Sequence, residues 1–211
     1  MLRPLLALTL FAAAPAAAQR VHIHADGQRH VHDAPVAGTV VTYAVPGLRV
    51  DAANPPAGSA VGRAGATLAD GTYVSVVYGQ PFVRGRVVFG GLVGWGAVWV
   101  TGAHTSTEIS FTRPVLFGGT RVEPGLYSLF ATPRPDRWTF HLNRALGMHL
   151  ADDYDAALNV AEAEAVPEAL GEVVQALTLD FVPAGTGTEA GVDLRLQWDR
   201  TAVRVPIRPL P

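Results

Sequence analysis

The chain has 211 residues and a formal net charge of −2, so its charge gives no reason to expect nucleic acid or an anionic membrane as a partner. It contains no cysteine, which excludes thiol catalysis, disulfides, iron–sulfur clusters and zinc sites built on thiolates. All 16 basic residues are arginine, and the absence of lysine excludes Schiff-base chemistry, lysine-held pyridoxal phosphate and a P-loop with its usual lysine.

Residues 1–18 carry the three parts of a secretory signal. Arg3 supplies the positive charge, an apolar stretch follows over 5–14, and Ala16 and Ala18 place small side chains before a cleavage site at Gln19. The apolar stretch is too short to span a bilayer comfortably. We therefore expect export to the periplasm or the medium as a soluble protein, with no transmembrane segment after cleavage and, without cysteine, no lipid anchor.

A histidine-rich segment over 19–35 is expected to form an arm or hairpin at the start of the mature chain. A two-residue turn over 26–27 would put its histidines on opposite faces, whereas a three-residue loop over 25–27 pairs residue 22 with residue 30 and puts all four on one face. In the second arrangement the imidazoles suit Zn, Cu or Ni, and the predicted metal ligands are His22, His24, His30 and His32. The alternative is a solvated N-terminus whose histidines do little.

The remaining residues, 36–211, are expected to form a single β domain. The chain holds 22 glycines and 16 prolines, most of them between short apolar runs, which is typical of an all-β protein. Early strands are predicted at 40–45, 73–78, 87–89, 97–101 and 126–131. The stretch 46–71, rich in Ala, Gly and Pro, is interpreted as a linker or irregular crossing.

In the second half, apolar and polar side chains alternate with period two, which predicts strands with one buried face. These strands are predicted at 107–111, 138–142, 177–181, 194–198 and 203–207. The last two are predicted to form a hairpin around 199–201. The segment 156–172 is rich in helix formers, and a short helix is predicted over 168–175. The predicted fold class is all-β, mainly antiparallel: a sandwich or barrel-like domain with at most one or two short helices.

A candidate ligand site lies in the middle of the chain. Arg84 and Arg86 flank a glycine and are suited to clamp a carboxylate, phosphate or sulfate. A glycine turn would aim His104 at the same pocket, and aromatic side chains would supply its walls. The predicted ligand-binding residues are Tyr78, Arg84, Arg86, Trp99, Thr101, His104, Thr107 and Tyr127. The structural alternative is that glycines set turns, tryptophans fill the core and arginines pair with acids.

Several short motifs resemble a known bacterial family. They are Tyr78-Gly79-Gln80-Pro81, Val83-Arg84-Gly85-Arg86, Phe89-Gly90-Gly91-Leu92, Val98 to His104 with Thr107, Pro124 to Leu129, Trp138, Trp198 and Val203 to Ile207. Their order and spacing over about 50–209 resemble the domain of unknown function 2911 family. The resemblance implies an exported β domain and supplies no reaction. The chain departs from the family-like pattern Trp-Arg-Thr-Gly-Ala-Asn-Glu at Val100, His104 and Thr105.

Three functions are compatible with these patterns. The first is a non-catalytic module that binds a small molecule or serves as an accessory, because no recognisable catalytic constellation accompanies the β pattern. The second is a hydrolase- or isomerase-like enzyme that uses His104 with Arg84 or Arg86 in a cleft. The third is metal handling through the N-terminal histidines.

Overall fold

The computed structural model describes residues 19–23, 29–33, 41–45, 58–187 and 190–211, the first three ranges by their backbone. The chain divides into two compact units, residues 1–36 and residues 37–211. In the first unit, β1 (Gln19–Ile23) pairs in antiparallel register with β2 (Arg29–Asp33), and His22 lies opposite His30. This is the register that a three-residue loop predicts, while residues 24–28 lie outside the described ranges.

Nearly all regular elements described in the second unit are strands. They are β3 (Val41–Val45), β4 (Ala60–Thr67), β5 (Tyr73–Gln80), β6 (Thr107–Phe111), β7 (Val115–Phe117), β8 (Thr120–Val122), β9 (Gly125–Pro133), β10 (Trp138–Asn143), β11 (Asn159–Ala165), β12 (Glu168–Ala184) and β13 (Gly191–Pro209). A 3₁₀ turn, Ala156–Leu158, precedes β11. No helix in the described ranges is long and apolar enough to cross a membrane.

These strands form two antiparallel sheets. The larger sheet has the order β11-β10-β9-β6-β5-β4-β3, and the smaller has the order β12-β13-β7-β8. One apolar core joins them, with side chains such as Val76 and Trp138 from the larger sheet and Leu179 and Val205 from the smaller. The sheets do not close into a barrel. The predicted all-β, mainly antiparallel class is confirmed, and the architecture is that of a β-sandwich.

The alternation of apolar residues places the strands as predicted where one face is buried. In β6 the odd positions Thr107, Ile109 and Phe111 are buried, and in β10 the even positions Trp138 and Phe140 are buried. Because a strand projects successive side chains to opposite faces, this period is the sequence signal of a sheet packed on one side.

The predicted hairpin around 199–201 is wrong, because β13 runs unbroken through it. Asp199 has a left-handed φ of 53°, and the pairing between β12 and β13 shifts register in this region. The irregularity moves the buried positions from even numbers, such as Leu196 and Trp198, to odd numbers, such as Val203 and Val205. A change of phase within one long alternation therefore marks a β-bulge here and not a turn.

The predicted helix over 168–175 is also wrong, since these residues open β12, which pairs with β13. Helix propensities differ by less than about 1 kcal/mol per residue, so pairing with a long neighbouring strand outweighs them. The preceding β11 had a strand signal of its own: Ala161 and Ala163 are buried, whereas Glu162 and Glu164 are exposed. The richness in Ala and Glu concealed this alternation.

The predicted linker over 46–71 contains a regular strand, β4, between β3 and β5. Position 62 of β4 requires glycine, because a Cβ built there would lie 2.3 Å from the ring of Tyr78. Residues 46–57 lie outside the described ranges. The strands predicted at 87–89 and 97–101 are absent as regular elements; Phe89 and Trp99 instead form isolated bridges with Val93 and Ala131.

Candidate functional site

The chain crosses from one sheet to the other immediately after β5. The amide of Val83 donates to the carbonyl of Gln175 at 2.8 Å, and the amide of Leu177 donates to the carbonyl of Pro81 at 2.9 Å. Phe82, which lies between these contacts, is 1% exposed and anchors the crossing in the core. The two arginines that follow are therefore held at the edge where β5 and β12 meet.

Arg86 is fixed by the turn that carries it. Its Nε donates to the carbonyl of Val83 at 3.1 Å, and its Nη2 donates to the carbonyl of Phe82 at 2.7 Å. The guanidinium of Arg84 donates to the carbonyl of Gly58 and lies 5.7 Å from the centre of the Phe82 ring. Backbone carbonyls therefore position both guanidinium groups, and the Phe82 ring lies beside that of Arg84.

A loop that follows Trp99 packs against the end of β5. Trp99 exchanges two backbone hydrogen bonds with Ala131, both 2.8 Å, and its indole Nε1 donates to the carbonyl of Gly102 at 3.0 Å. The loop touches β5 so closely that a Cβ on Gly79 would lie 2.1 Å from the carbonyl oxygen of Ala103. Glycine at position 79 is therefore what allows the loop to lie here.

These segments enclose a cleft of about 410 Å³, which we call the arginine cleft. Its lining consists of Gly58, Ser59, Pro81, Phe82, Arg84, Arg86, Leu92, Val93, Trp99, Gly102, Ala103, His104, Leu150 and Trp198. Two arginines and a histidine line it, together with three aromatic side chains, and no carboxylate is among the described residues that form its wall. The volume is that of a small-molecule site.

Stacked tryptophans form part of the wall of the arginine cleft. The rings of Trp99 and Trp198 are 5.9 Å apart with an interplanar angle of 19°, and Phe89 meets both edge-on at 6.0 Å. Trp198 is fully buried, and its indole nitrogen has no hydrogen-bond partner among the described residues. The partly exposed ring of Trp99, held by the buried ring of Trp198, thus lies beside the cationic groups.

Strained backbone is concentrated at the same place. Among the described residues, five that are not glycine have positive φ, and three of these line the cleft: Arg84 (51°), His104 (69°) and Leu150 (51°). A fourth, Thr101 (49°), precedes Gly102 in the loop. The left-handed conformation costs such residues on the order of 1 kcal/mol each, so the surrounding structure must hold them in it.

His104 also lines a second depression of about 290 Å³, which we call the outer groove. The outer groove shares Ser59, Ala103 and His104 with the arginine cleft, so the two adjoin. Its other lining residues are Ala60, Val61, Val77, Tyr78, Gly79, Thr105, Ser106, Glu108 and Gly147. His104 therefore stands at the junction of two compartments, and its carbonyl accepts a 2.7 Å hydrogen bond from the amide of Leu150.

A comparison with known families matches the family model described as "Protein of unknown function (DUF2911)" to residues 62–207, more than two thirds of the chain. The chain belongs to the DUF2911 family. No curated protein and no solved structure gives a significant match to the chain. The resemblance predicted from the motifs is confirmed, and the family description names no activity.

The motifs of this DUF2911 member now have a structural meaning. Gly79 and Gly102 face each other where the loop meets β5, and Arg84 and Arg86 form the cationic wall. At the first departure from the family-like pattern, Val100 is buried in a small apolar cluster with Phe130 and Met148. Arg84 and Arg86 therefore supply the guanidinium groups of the cleft, whereas position 100, which is arginine in the family-like pattern, holds a core valine here.

The structure brings four of the eight predicted ligand-binding residues to the wall of the arginine cleft: Arg84, Arg86, Trp99 and His104. Two more support the loop from within. Thr101 donates through Oγ1 to the carbonyl of Leu129 at 2.8 Å, and Thr107 donates to the carbonyl of Thr101 at 3.2 Å. Both threonines are buried, so they position the loop and do not line the cleft.

The two predicted tyrosines lie elsewhere. Tyr127 is buried against Phe111 and donates its hydroxyl to the carbonyl of Glu123 at 2.9 Å, away from the cleft lining. Tyr78 lines the outer groove but is 3% exposed, with its ring packed over Gly62. Neither supplies the wall of the arginine cleft that the sequence predicted.

Replacing Tyr78 with phenylalanine is expected to reduce the loss of stability at alkaline pH. Burial raises the pKa of Tyr78 above its usual value of 10.0; a hydrogen bond with the backbone of Leu179 opposes this, and the Asp180 carboxylate adds to it. Above about pH 10 the unfolded chain loses this proton while the folded chain keeps it, so stability falls as pH rises. Urea unfolding at pH 8 and pH 11 measures the loss; equal losses in Y78F and the unaltered chain would contradict the assignment.

The N-terminal histidines are described only in part. His22, His30 and His32 lie in β1 and β2, where the backbone register pairs His22 with His30, and His24 lies outside the described residues. Metal binding by this set stays a prediction. Among the described residues, no group of three or more histidine, aspartate or glutamate residues is placed to hold a metal ion.

One other histidine is held in a polar network on the large sheet. His141 is 8% exposed; its Nε2 lies 2.9 Å from Oγ1 of Thr132 and its Nδ1 lies 2.9 Å from Oε1 of Glu162. Both ring nitrogens therefore have partners. These two contacts explain why β10 tolerates a histidine at a buried position.

Several residues of the cleft were not predicted from the sequence. Trp198 belongs to β13, Leu150 to a loop more than forty residues after His104, and Phe82 to the crossing segment. The sequence signal for Phe82 was its place between a strand end and an arginine pair. Trp198 and Leu150 reach the cleft only through packing of distant segments, for which the local pattern gives no signal.

Proposed function

We propose that this DUF2911 member is an exported, non-catalytic binding protein whose arginine cleft takes a small organic anion with an aromatic or other apolar group. One observation carries the proposal: the cleft combines Arg84, Arg86 and His104 with the rings of Trp99, Trp198 and Phe82, and no carboxylate lines it among the described residues. A carboxylate on the ligand would meet the guanidinium groups while its apolar part contacts the partly exposed ring of Trp99.

Preorganisation supports this assignment. Because Arg86 already donates to two carbonyls of its own turn, its guanidinium loses little freedom when an anion arrives. The left-handed backbone of Arg84, His104 and Leu150 also supports a binding site, since backbone strain of this kind is retained mainly at functional sites. The 410 Å³ volume suits a compact molecule with one ring.

The geometry favours binding over catalysis. A catalytic imidazole is normally oriented by a carboxylate or activates a nearby nucleophile. His104 is exposed, and its ring has no hydrogen-bond partner among the described residues. The enzyme hypothesis based on His104 with Arg84 or Arg86 is therefore the weaker of the two, because the cleft supplies cations and no oriented base.

Export is the remaining part of the proposal. The charged, apolar and small-residue segments of 1–18 support it, as does the absence of cysteine from the whole chain. A binding protein outside the cytoplasm would meet diffusible organic acids, which agrees with a cleft lined by cationic side chains.

Calorimetric titration with 3-phenylpropionate and its neutral amide tests the proposal. The acid is expected to bind more tightly than the amide, and Arg86→Gln is expected to weaken the acid about tenfold, as loss of a charge-assisted hydrogen bond would. Arg121→Gln is the matched control, because Arg121 is exposed and paired with Glu123 outside the cleft. Unchanged amide binding in R86Q shows that the cleft is intact. Equal affinities for acid and amide in the unaltered protein would contradict the proposal.

A further inference from the structure

The outer groove differs in charge from the arginine cleft that it adjoins. Glu108 lines the outer groove on β6, half-buried, and no ion pair or side-chain hydrogen bond links it to another described residue. The arginine cleft on the other side of His104 carries Arg84 and Arg86. The continuous surface therefore has a cationic end, an imidazole at its middle and an anionic end.

The sheet register gives the approximate distance from Glu108 to the start of the segment that carries the arginines. Glu108 lies opposite Val77 in the pairing of β5 with β6. From Val77 the chain runs four residues to Pro81, where it leaves β5 toward the arginines, and this span is about 13 Å at the rise of an extended strand. An extended peptide of about four residues covers that length.

The middle of this surface suits a peptide backbone. Val61 and Val77 are 65% and 43% exposed and give the outer groove an apolar floor. His104 at the junction offers a ring that can donate to or accept from an amide group. The partly exposed ring of Trp99, backed by the buried rings of Phe82 and Trp198, suits an aromatic side chain beside the terminal carboxylate.

We propose that the arginine cleft and the outer groove together bind a short peptide. Its carboxylate lies at Arg86 and its protonated amine lies at Glu108. This inference rests on the proposed function of the arginine cleft and extends it to the ligand class. The valines contact the apolar part of the chain between the two charged ends.

Titration with one tetrapeptide in three forms tests the inference. The probe is alanyl-alanyl-alanyl-phenylalanine, used with both ends free, with the amine acetylated, and with the carboxylate converted to an amide. The free peptide is expected to bind about fivefold more tightly than the acetylated one, as one partly exposed ion pair allows. Glu108→Gln is expected to remove that ratio. Glu164→Gln, which neutralises an exposed glutamate on β11, is expected to leave it unchanged.

The three forms separate failure of this inference from failure of the proposed function. If the free carboxylate is preferred over the amide and R86Q removes that preference, while acetylation of the amine has no effect, the arginine cleft stands and the peptide inference is overturned. If neither end affects affinity, or no form binds, the peptide inference is overturned; the proposed function falls with it only if 3-phenylpropionate also binds no better than its neutral amide. Competition between the free peptide and 3-phenylpropionate shows that they share the cleft; binding without competition also overturns the inference.

Discussion

Replacing Gly79 with alanine is expected to lower the free energy of unfolding by about 3 kcal/mol, the upper range for overpacking a closed site. The added Cβ would lie 2.1 Å from the carbonyl oxygen of Ala103 and 2.9 Å from its amide nitrogen. Both are backbone atoms, so no side-chain rotation relieves the contact. The loop that carries His104 must move, and binding at the arginine cleft should weaken together with stability.

Gly171→Ala is the matched control for this prediction. Gly171 lies in β12, and a Cβ there meets nothing within 4 Å. Alanine restricts the unfolded chain at no steric cost, so stability should stay constant or rise by about 0.5 kcal/mol. Urea unfolding of both variants decides the matter: equal stability of G79A and G171A would show that the loop does not depend on close packing against β5.

Replacing Trp198 with alanine is expected to cost about 4 kcal/mol of stability, as for other buried tryptophans. Trp198 is fully buried, stacks on Trp99 and faces Phe89 edge-on at 6.0 Å. Its loss would leave a void between β13 and the loops of the arginine cleft, where the two sheets meet. Trp198→Phe should recover part of the loss, because a ring still fills part of the space.

Trp95→Ala is the control for Trp198→Ala, because it removes the same type of side chain from an exposed position. Trp95 is 46% exposed and lies 6.3 Å from Phe89, so its removal should cost less than half as much as removal of Trp198. Thermal and urea unfolding provide the comparison. Equal losses for the two variants would mean that Trp198 does not hold the aromatic cluster together.

The fold class was predictable because each strand of a sandwich buries one face, so that apolar residues recur at every second position of the sequence. That pattern located β6, β10 and both halves of β13. It failed where the alternation used small residues, as in β4 and β11, and where its phase changed at Asp199. The helix predicted at 168–175 failed because residue propensity is weaker than pairing with a neighbouring strand.

The cleft was partly predictable for a different reason. Arg84, Arg86, Trp99 and His104 lie within 21 residues of one another on the loops between β5 and β6, so their types and spacing suggested one site. Trp198 and Leu150 are brought to it by the closure of the sandwich. Tyr127 shares the central region in sequence but faces Phe111 on the core side of the large sheet.

The central claim is that an organic anion binds in the arginine cleft, and the indole N–H resonances of the four tryptophans test it most directly. Trp99 and Trp198 line the cleft, whereas Trp138 is buried away from its lining and Trp95 lies outside it. With the four signals assigned by single Trp→Phe variants, 3-phenylpropionate is predicted to shift those of Trp99 and Trp198 most. At the same subsaturating concentration, R86Q is predicted to reduce these shifts strongly. Shifts confined to Trp95, or no shift at any indole, would contradict the account.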